Sequence, residues 1–168
     1  MVVDVIIPVY RPEREKLTKL IDWLNKQTVK PSHVFFMQTL VEEKEDEEVL
    51  QMLQKAENVE IVPIEKKDFD HGGTRNKGAA LSKADYMLFM TQDAVPVDAY
   101  LIENLVQAME EEEAATAYGR QLPDDTVGVI EHYTREFNYP AKSYVKSQKD
   151  LETMGIKTYF LSLIHISE

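Results

Sequence analysis

Runs of β-branched and aromatic residues alternate along this chain with segments whose apolar residues recur at helical spacing, and no other feature constrains the fold as strongly. Val2 to Val9 reads as a buried strand, after which Leu17, Leu20, Ile21 and Leu24 fall on one helix face. Val34 to Met37 is the second expected strand. Val49, Met52, Leu53 and Ala56 repeat the helical spacing, and Val59 to Ile64 follows as a third strand in which Pro63 marks a sheet edge or a strand end. Ala79, Ala80 and Leu81 belong to a short third helix, Asp85 to Thr91 to a fourth strand, and Ile102, Leu105, Val106 and Met109 to a fourth helix capped by Asp98. A fifth strand is expected over Ala114 to Tyr118. Beyond Gly119 the pattern loosens into loops and short helix, punctuated by Pro123, Asp124, Asp125, Asn138, Tyr139 and Pro140. Such alternation predicts an α/β fold, a three-layer αβα arrangement around a mostly parallel sheet.

Length and charge narrow the function classes. At 168 residues there is enough chain for one compact domain with a sizeable core. A net charge of −11 sets up a field that repels nucleic-acid backbones and anionic lipid, so nucleic acid is not an expected partner. With 43% hydrophobic and 29% charged residues the chain falls among soluble globular proteins. There are no cysteines, which excludes disulfides, thiolate metal sites and cysteine nucleophiles. The longest apolar runs, such as Tyr86 to Met90, fall far below the roughly 20 residues of a membrane span. Asp4 stands among the first residues with no basic segment beside it, so no secretory signal is expected. The acidic runs Glu42 to Glu48 and Glu110 to Glu113 read as solvated faces.

In an open α/β sheet the ligand crevice lies outside the carboxyl ends of the strands. Here the residues following the strands are polar: Tyr10 and Arg11, then Gln38 and Thr39, then Asp68, Asp70 and His71, then Gln92 and Asp93. Asp93 ends an apolar strand, which holds a carboxylate at the rim, and one or two carboxylates suffice for a magnesium ion that also takes substrate phosphates. A protein this acidic needs such a cation to accept a diphosphate, since like charges about 4 Å apart repel by ~4 kcal/mol at an effective dielectric near 20. An Asx-turn before Pro96 is an equally good account of Asp93. Asp70 to Asn76 lies between the third strand and the third helix, where Gly72 and Gly73 permit close backbone approach, a helix N-terminus attracts anions and Arg75 is a bidentate phosphate donor. Position alone slightly favours a plain helix cap there, with Arg75 in a structural ion pair and His71 a satisfied loop histidine. The segment matches neither the dinucleotide fingerprint nor the P-loop. Arg120, in Tyr118-Gly119-Arg120-Gln121, reaches either an anion or a surface carboxylate, and position alone favours the carboxylate. His33, His71, His132 and His165 are too scattered for a local metal motif. There is no serine elbow, and Met87, Met90, Phe35, Phe36 and Phe89 read as core.

Taken together these segments resemble the inverting GT-A glycosyltransferases of family 2, and within them the bacterial rhamnosyltransferase-like branch. Asp4 to Tyr10 looks like the opening strand of that family, His71 to Gly78 like its arginine-asparagine helix start, and Thr91-Gln92-Asp93-Ala94 like its metal-binding strand end. Tyr118 to Gln121 and Phe137 to Pro140 are similar to the rhamnosyltransferase branch. The resemblance implies that Asp93 is the second acid of the family's DxD motif and binds Mg2+ or Mn2+, with Thr91 in place of the first. It places Pro8, Tyr10, Arg11, Gln38, Thr39, Asp70, His71, Arg75, Gln92 and Asp93 around a nucleoside diphosphate-sugar, and Arg120 and Gln121 on the acceptor side. Many members carry an aspartate after strand two that contacts the base; Gln38-Thr39 stands here instead.

The activity that the resemblance implies is inverting transfer of a sugar, rhamnose among them, from a thymidine or uridine diphosphate donor to a polysaccharide or lipid-linked acceptor. It also implies a cytoplasmic protein, with the full-length form allowed a peripheral place at the inner membrane face. Residues 1–122 are expected to bind the donor and 123–168 to begin an incomplete acceptor-side region. The family continues past residue 168 and carries its usual base there, and Leu163 to Glu168 departs from its pattern, so the chain is expected to be C-terminally truncated. Two rivals stand beside this reading. A sugar-phosphate nucleotidyltransferase needs a glycine-rich loop after strand one, which Tyr10-Arg11-Pro12-Glu13 is not, and a catalytically inert nucleotide-binding or interaction domain would transfer nothing.

Overall fold

A computed structural model of the chain describes residues 1–122, 128–139 and 142–158. Four strands, β1 (Val3–Val9), β2 (His33–Thr39), β3 (Val59–Ile64) and β4 (Tyr86–Phe89), form one sheet in the order β3-β2-β1-β4. All three pairings are parallel. Between them run α1 (Arg14–Asn25), α2 (Glu43–Leu53) and α3 (His71–Leu81), followed by α4 (Leu101–Glu111), α5 (Val129–Asn138) and α6 (Leu151–Met154). The backbone forms two compact units, Met1–Asn104 and a second beginning at Leu105. The whole sheet lies in the first, and the functional boundary read at residue 122 falls inside the second.

Both faces of the two central strands are covered, which is why β1 and β2 are almost wholly apolar and buried. On one face Ile6, Phe35, Met37 and Ile64 form a cluster against which Phe69 and Ala79 pack. Gly78 lets α3 settle there: a Cβ at that position would lie 2.6 Å from Ile6 Cγ2 and 3.3 Å from Met37 Sδ. On the other face Gln38 donates from Nε2 to the Asp46 carbonyl of α2 at 3.1 Å, and α2 in turn meets α1. Leu17, Leu20, Ile21 and Leu24 are buried, as their spacing requires. Pro63 does lie in an edge strand, β3.

At the amino end of the strands two buried polar side chains, Asp4 and Gln27, are matched. Asp4, only 1% exposed, accepts from the His33 backbone N–H at 3.1 Å and from Ser82 Oγ at 2.6 Å, and its carboxylate lies 3.0 Å from His33 Nδ1. These contacts tie β1 to the start of β2 and to the turn that leads into β4. Nearby, buried Gln27 donates to the Trp23 and Asp98 carbonyls and accepts from the Ile102 N–H, fastening the end of α1 to the start of α4.

Several sequence expectations need correcting. The fifth strand over Ala114 to Tyr118 is absent: among the described residues this segment has no regular structure. Alanines offer a strand little apolar surface, and the chain leaves α4 through Glu113 at φ 49, with the Ala114 amide bonded back to Met109. The fourth strand is shorter than Asp85 to Thr91, and Met87 and Phe89, expected in the core, are 48% and 45% exposed. They sit on an edge strand, whereas α3 packs chiefly on β1 and β2. Helix α3 is longer than expected, since Gly72 and Gly73 are already helical. Asp98 does not cap α4; it accepts from the Tyr100 N–H in a turn ahead of the helix.

The second unit is built largely of turns and helix. The Tyr118 and Tyr139 rings meet edge to face at 6.4 Å, and Lys146 Nζ lies over the Tyr118 and Tyr144 rings at 5.9 and 5.5 Å. Burial, reinforced by a hydrogen bond with Tyr144, pushes the Tyr118 phenol up to about 12.

Candidate functional site

The chain steps outward from β1 through β2 to β3, then returns to the other side of β1 for β4. The strand order therefore reverses between β1 and β4, and the crevice outside the carboxyl ends of those two strands is the expected ligand position. Pro8 helps open it. Tyr86 N–H donates to the Val2 carbonyl and Met90 N–H to the Ile6 carbonyl, so the even-numbered residues of β1 face β4. Pro8 is next in that series and has no N–H to extend the ladder. Two residues later, the Tyr10 N–H donates to Gln92 Oε1 at 2.8 Å and the Tyr10 carbonyl accepts from Gln92 Nε2 at 2.9 Å.

Around Tyr10 several of the residues singled out in the sequence come together. Its ring stacks on Phe69 at 6.4 Å, and Phe69 meets the His71 ring edge to face at 5.0 Å. Arg11 places its guanidinium carbon 5.8 Å from the Tyr10 centroid and its Nε 3.9 Å from Glu45 of α2. Its φ of 41 is left-handed, a conformation that costs a non-glycine residue about 1 kcal/mol or more and tends to mark functional turns. Asp70 spends its carboxylate on the Gly73 N–H as the cap of α3, so the helix-cap reading holds for that residue. Among the described residues the ion pair expected of Arg75 does not form. Its Nη1 donates to the His71 carbonyl at 2.9 Å, and partial burial holds the guanidinium below its usual range without a carboxylate beside it.

Between the ends of β1, β2 and α2 lies a shallow groove lined by Val9, Arg11, Gln38, Thr39, Val41 and Asp46. Thr39 is 2% exposed and its hydroxyl has no hydrogen-bond partner. Buried hydroxyls are ordinarily satisfied, and among the described residues the Thr74 hydroxyl of α3 is likewise buried without a partner. Gln38 is committed to α2, and Asp46 receives the Val41 N–H at 3.0 and 2.9 Å on its two oxygens.

Asp93 follows Gln92 in a turn closed by the Ala94 N–H on the Thr91 carbonyl at 3.1 Å. It is exposed and makes no hydrogen bond or ion pair among the described residues, so the Asx-turn reading has no bond to support it. A divalent ion fits here only in one form. No group of three or more acidic or imidazole ligands exists among the described residues. One free carboxylate matches an ion that keeps water and takes its remaining oxygens from a bound diphosphate.

Comparison with known proteins gives this geometry a family. Residues 4–167 match the model of Glycosyl transferase family 2. The chain belongs to that family. Among curated family 2 relatives, the O-antigen chain rhamnosyltransferase RfbN of Salmonella typhimurium is 36% identical over 96% of this chain and 50% of its own length. WbaN of Salmonella anatum, also an O-antigen chain rhamnosyltransferase, is 29% identical over 94% of this chain and 49% of its own. The chain thus spans about half the length of these relatives. Among solved structures, residues 1–349 of S. aureus TarS align with a TM-score of 0.53 at 20% identity, covering 74% of this chain and 39% of that one. That likeness shows the fold, and with the parallel sheet above it bears out the GT-A-like α/β reading.

Two residues of the candidate site were not singled out in the sequence: Phe69, which links Tyr10 to His71, and Glu45, which pairs with Arg11. Phe69 had a signal, as an aromatic directly before Asp70-His71 in an otherwise polar segment; Glu45 had none within its acidic run. Arg120 and Gln121 belong to the second unit, where Arg120 is exposed and Gln121 accepts from Arg135 Nη1 at 2.9 Å. Pro140 and residues 159–168, which include Leu163 to Glu168, lie outside the described residues. No helix among the described residues is long and apolar enough to cross a membrane.

Proposed function

We propose that this chain is the donor-binding part of an inverting family 2 glycosyltransferase that moves a sugar, rhamnose in the simplest case, from a thymidine or uridine diphosphate onto a polysaccharide or lipid-linked acceptor. The observation that carries the reading is the unpartnered Asp93 carboxylate, standing at the switch point beside the Tyr10 turn. The activities named for RfbN and WbaN motivate the sugar and acceptor classes, and the complexes of TarS with UDP and with UDP-GlcNAc motivate the donor class. Thr39, buried and unpaired beside the Arg11 groove, is a suitable reader of the base. Tyr10 and Arg11 flank the nucleoside, and the half-buried Arg75 guanidinium is available to diphosphate oxygens.

Asp93 would hold Mg2+ or Mn2+, which neutralises diphosphate charge when bound. In the reaction an acceptor hydroxyl oxygen forms a bond to the anomeric carbon as the bond from that carbon to the diphosphate breaks. The hydroxyl proton passes to a base, and Arg75 stabilises the departing diphosphate. Titration calorimetry with thymidine and uridine diphosphates, with and without Mn2+, tests the reading. Binding is expected to tighten with Mn2+ and to lose that gain in Asp93→Asn; binding that ignores both the metal and the substitution overturns the metal assignment.

A further inference from the structure

We propose that Gln92 is a positioning residue whose side chain replaces the missing β1–β4 ladder at the crevice and thereby fixes where Asp93 stands. The inference rests on the donor-binding reading above. Regular pairing between these strands ends with the Met90 N–H on the Ile6 carbonyl at 3.1 Å, and Pro8 cannot continue it. At Tyr10, the next residue facing that side, the Gln92 carboxamide makes both bonds that a neighbouring strand would have made, 2.8 Å from the N–H and 2.9 Å to the carbonyl. Its orientation is dictated, since a flipped amide would set donor against donor and acceptor against acceptor.

The consequence falls on the next residue. Asp93 has no side-chain partner among the described residues, so its place is set by its backbone alone, and the cross-strand bond nearest to that backbone is the Gln92 clasp. The same clasp holds the peptide that leads into left-handed Arg11 and carries the ring stacked on Phe69. Gln92 therefore couples the carboxylate on the β4 side to the aromatic and cationic groups on the β1 side. A site fixed in this way before binding loses less freedom when the ligand arrives. Gln92 touches the Tyr10 peptide and acts on the ligand through it.

Gln92→Met keeps the length of the side chain and removes both bonds. Gln92→Asn keeps the carboxamide but is one methylene too short to span the gap, so it tests the same point without adding an apolar group. In both, amide hydrogen exchange at Tyr10 is expected to speed up about tenfold or more. Calorimetry with uridine and thymidine diphosphates is expected to show the gain that Mn2+ provides shrinking about tenfold, a clearly larger loss than any fall in metal-free affinity. Equal weakening with and without Mn2+ would indicate a merely structural role and overturn the proposal, as would a Mn2+ gain kept within about twofold in either variant. If the unaltered chain shows no Mn2+-dependent diphosphate binding, the donor-binding reading itself fails and the positioning role falls with it; that outcome is distinguishable because no substitution is involved.

Discussion

The two ends of the sheet are treated in opposite ways. At the amino end the carboxylate of Asp4 is buried and matched by His33 and Ser82. Among the described residues at the carboxyl end, Asp93 is exposed and unmatched, the Thr39 hydroxyl is buried without a partner, and the half-buried Arg75 guanidinium has no acid beside it. A polar group left unsatisfied costs stability, on the order of 1–3 kcal/mol when buried, so on the proposed function this asymmetry marks the carboxyl end as the one a ligand would complete.

The strongest challenge to this contrast is Asp4→Ala, which removes the acceptor shared by β1, β2 and the turn before β4. It is expected to cost about 2–4 kcal/mol in denaturant unfolding; a loss near zero would show that the closed end is not a structural clamp. Next comes Gly78→Ala, midway along the sheet, where the added methyl meets Ile6 Cγ2 at 2.6 Å. Overpacking of that kind is expected to cost about 1–3 kcal/mol, read as a fall in melting temperature. Asp93→Asn should instead leave the melting temperature unchanged while removing about tenfold, or ~1.4 kcal/mol, of Mn2+-dependent nucleotide affinity. Thr39→Val replaces an unpaired hydroxyl by a methyl of similar size and is expected to stabilise the free chain by about 1 kcal/mol while weakening diphosphate binding. Destabilisation by Thr39→Val would mean that the hydroxyl is satisfied after all.

A pH scan supplies the smallest effect and lies outside both ends. The Tyr118 phenol is raised to about 12 in the fold against an ordinary value of 10.0, so the folded form keeps a proton that the unfolded form loses. Its contribution is complete below about pH 10 and is lost as the pH rises towards about 12. Tyr118→Phe should flatten that part of the stability profile, by a modest amount because the ring is partly exposed.

Much of the fold was legible from spacing. The buried face of α1 and the first two strands appear where the pattern placed them because they are buried and the pattern reports that burial; β3 appears as well, although only its Ile64 is buried. Met87 and Phe89 look like core by composition, but cover depends on neighbours that a local pattern does not encode, and Ala114 to Tyr118, rich in alanine, offers a strand little apolar surface. At the site, polar residue types at strand ends pointed to Tyr10, Arg11 and Asp93. The cap at Asp70 was legible as well, but that Gln38 is bonded to α2 and Gln92 to Tyr10 was not.

The order of hydrophobic periods was thus enough to set the α/β class, since strand and helix periods are local properties of the chain. The motifs at the strand ends carried the family resemblance in the same way. Which polar groups are satisfied and which stand free was settled only by packing in three dimensions. A hydrogen bond between residues 10 and 92 is set by strand order as well as by the break at Pro8, and strand order is not written in the neighbourhood of either residue.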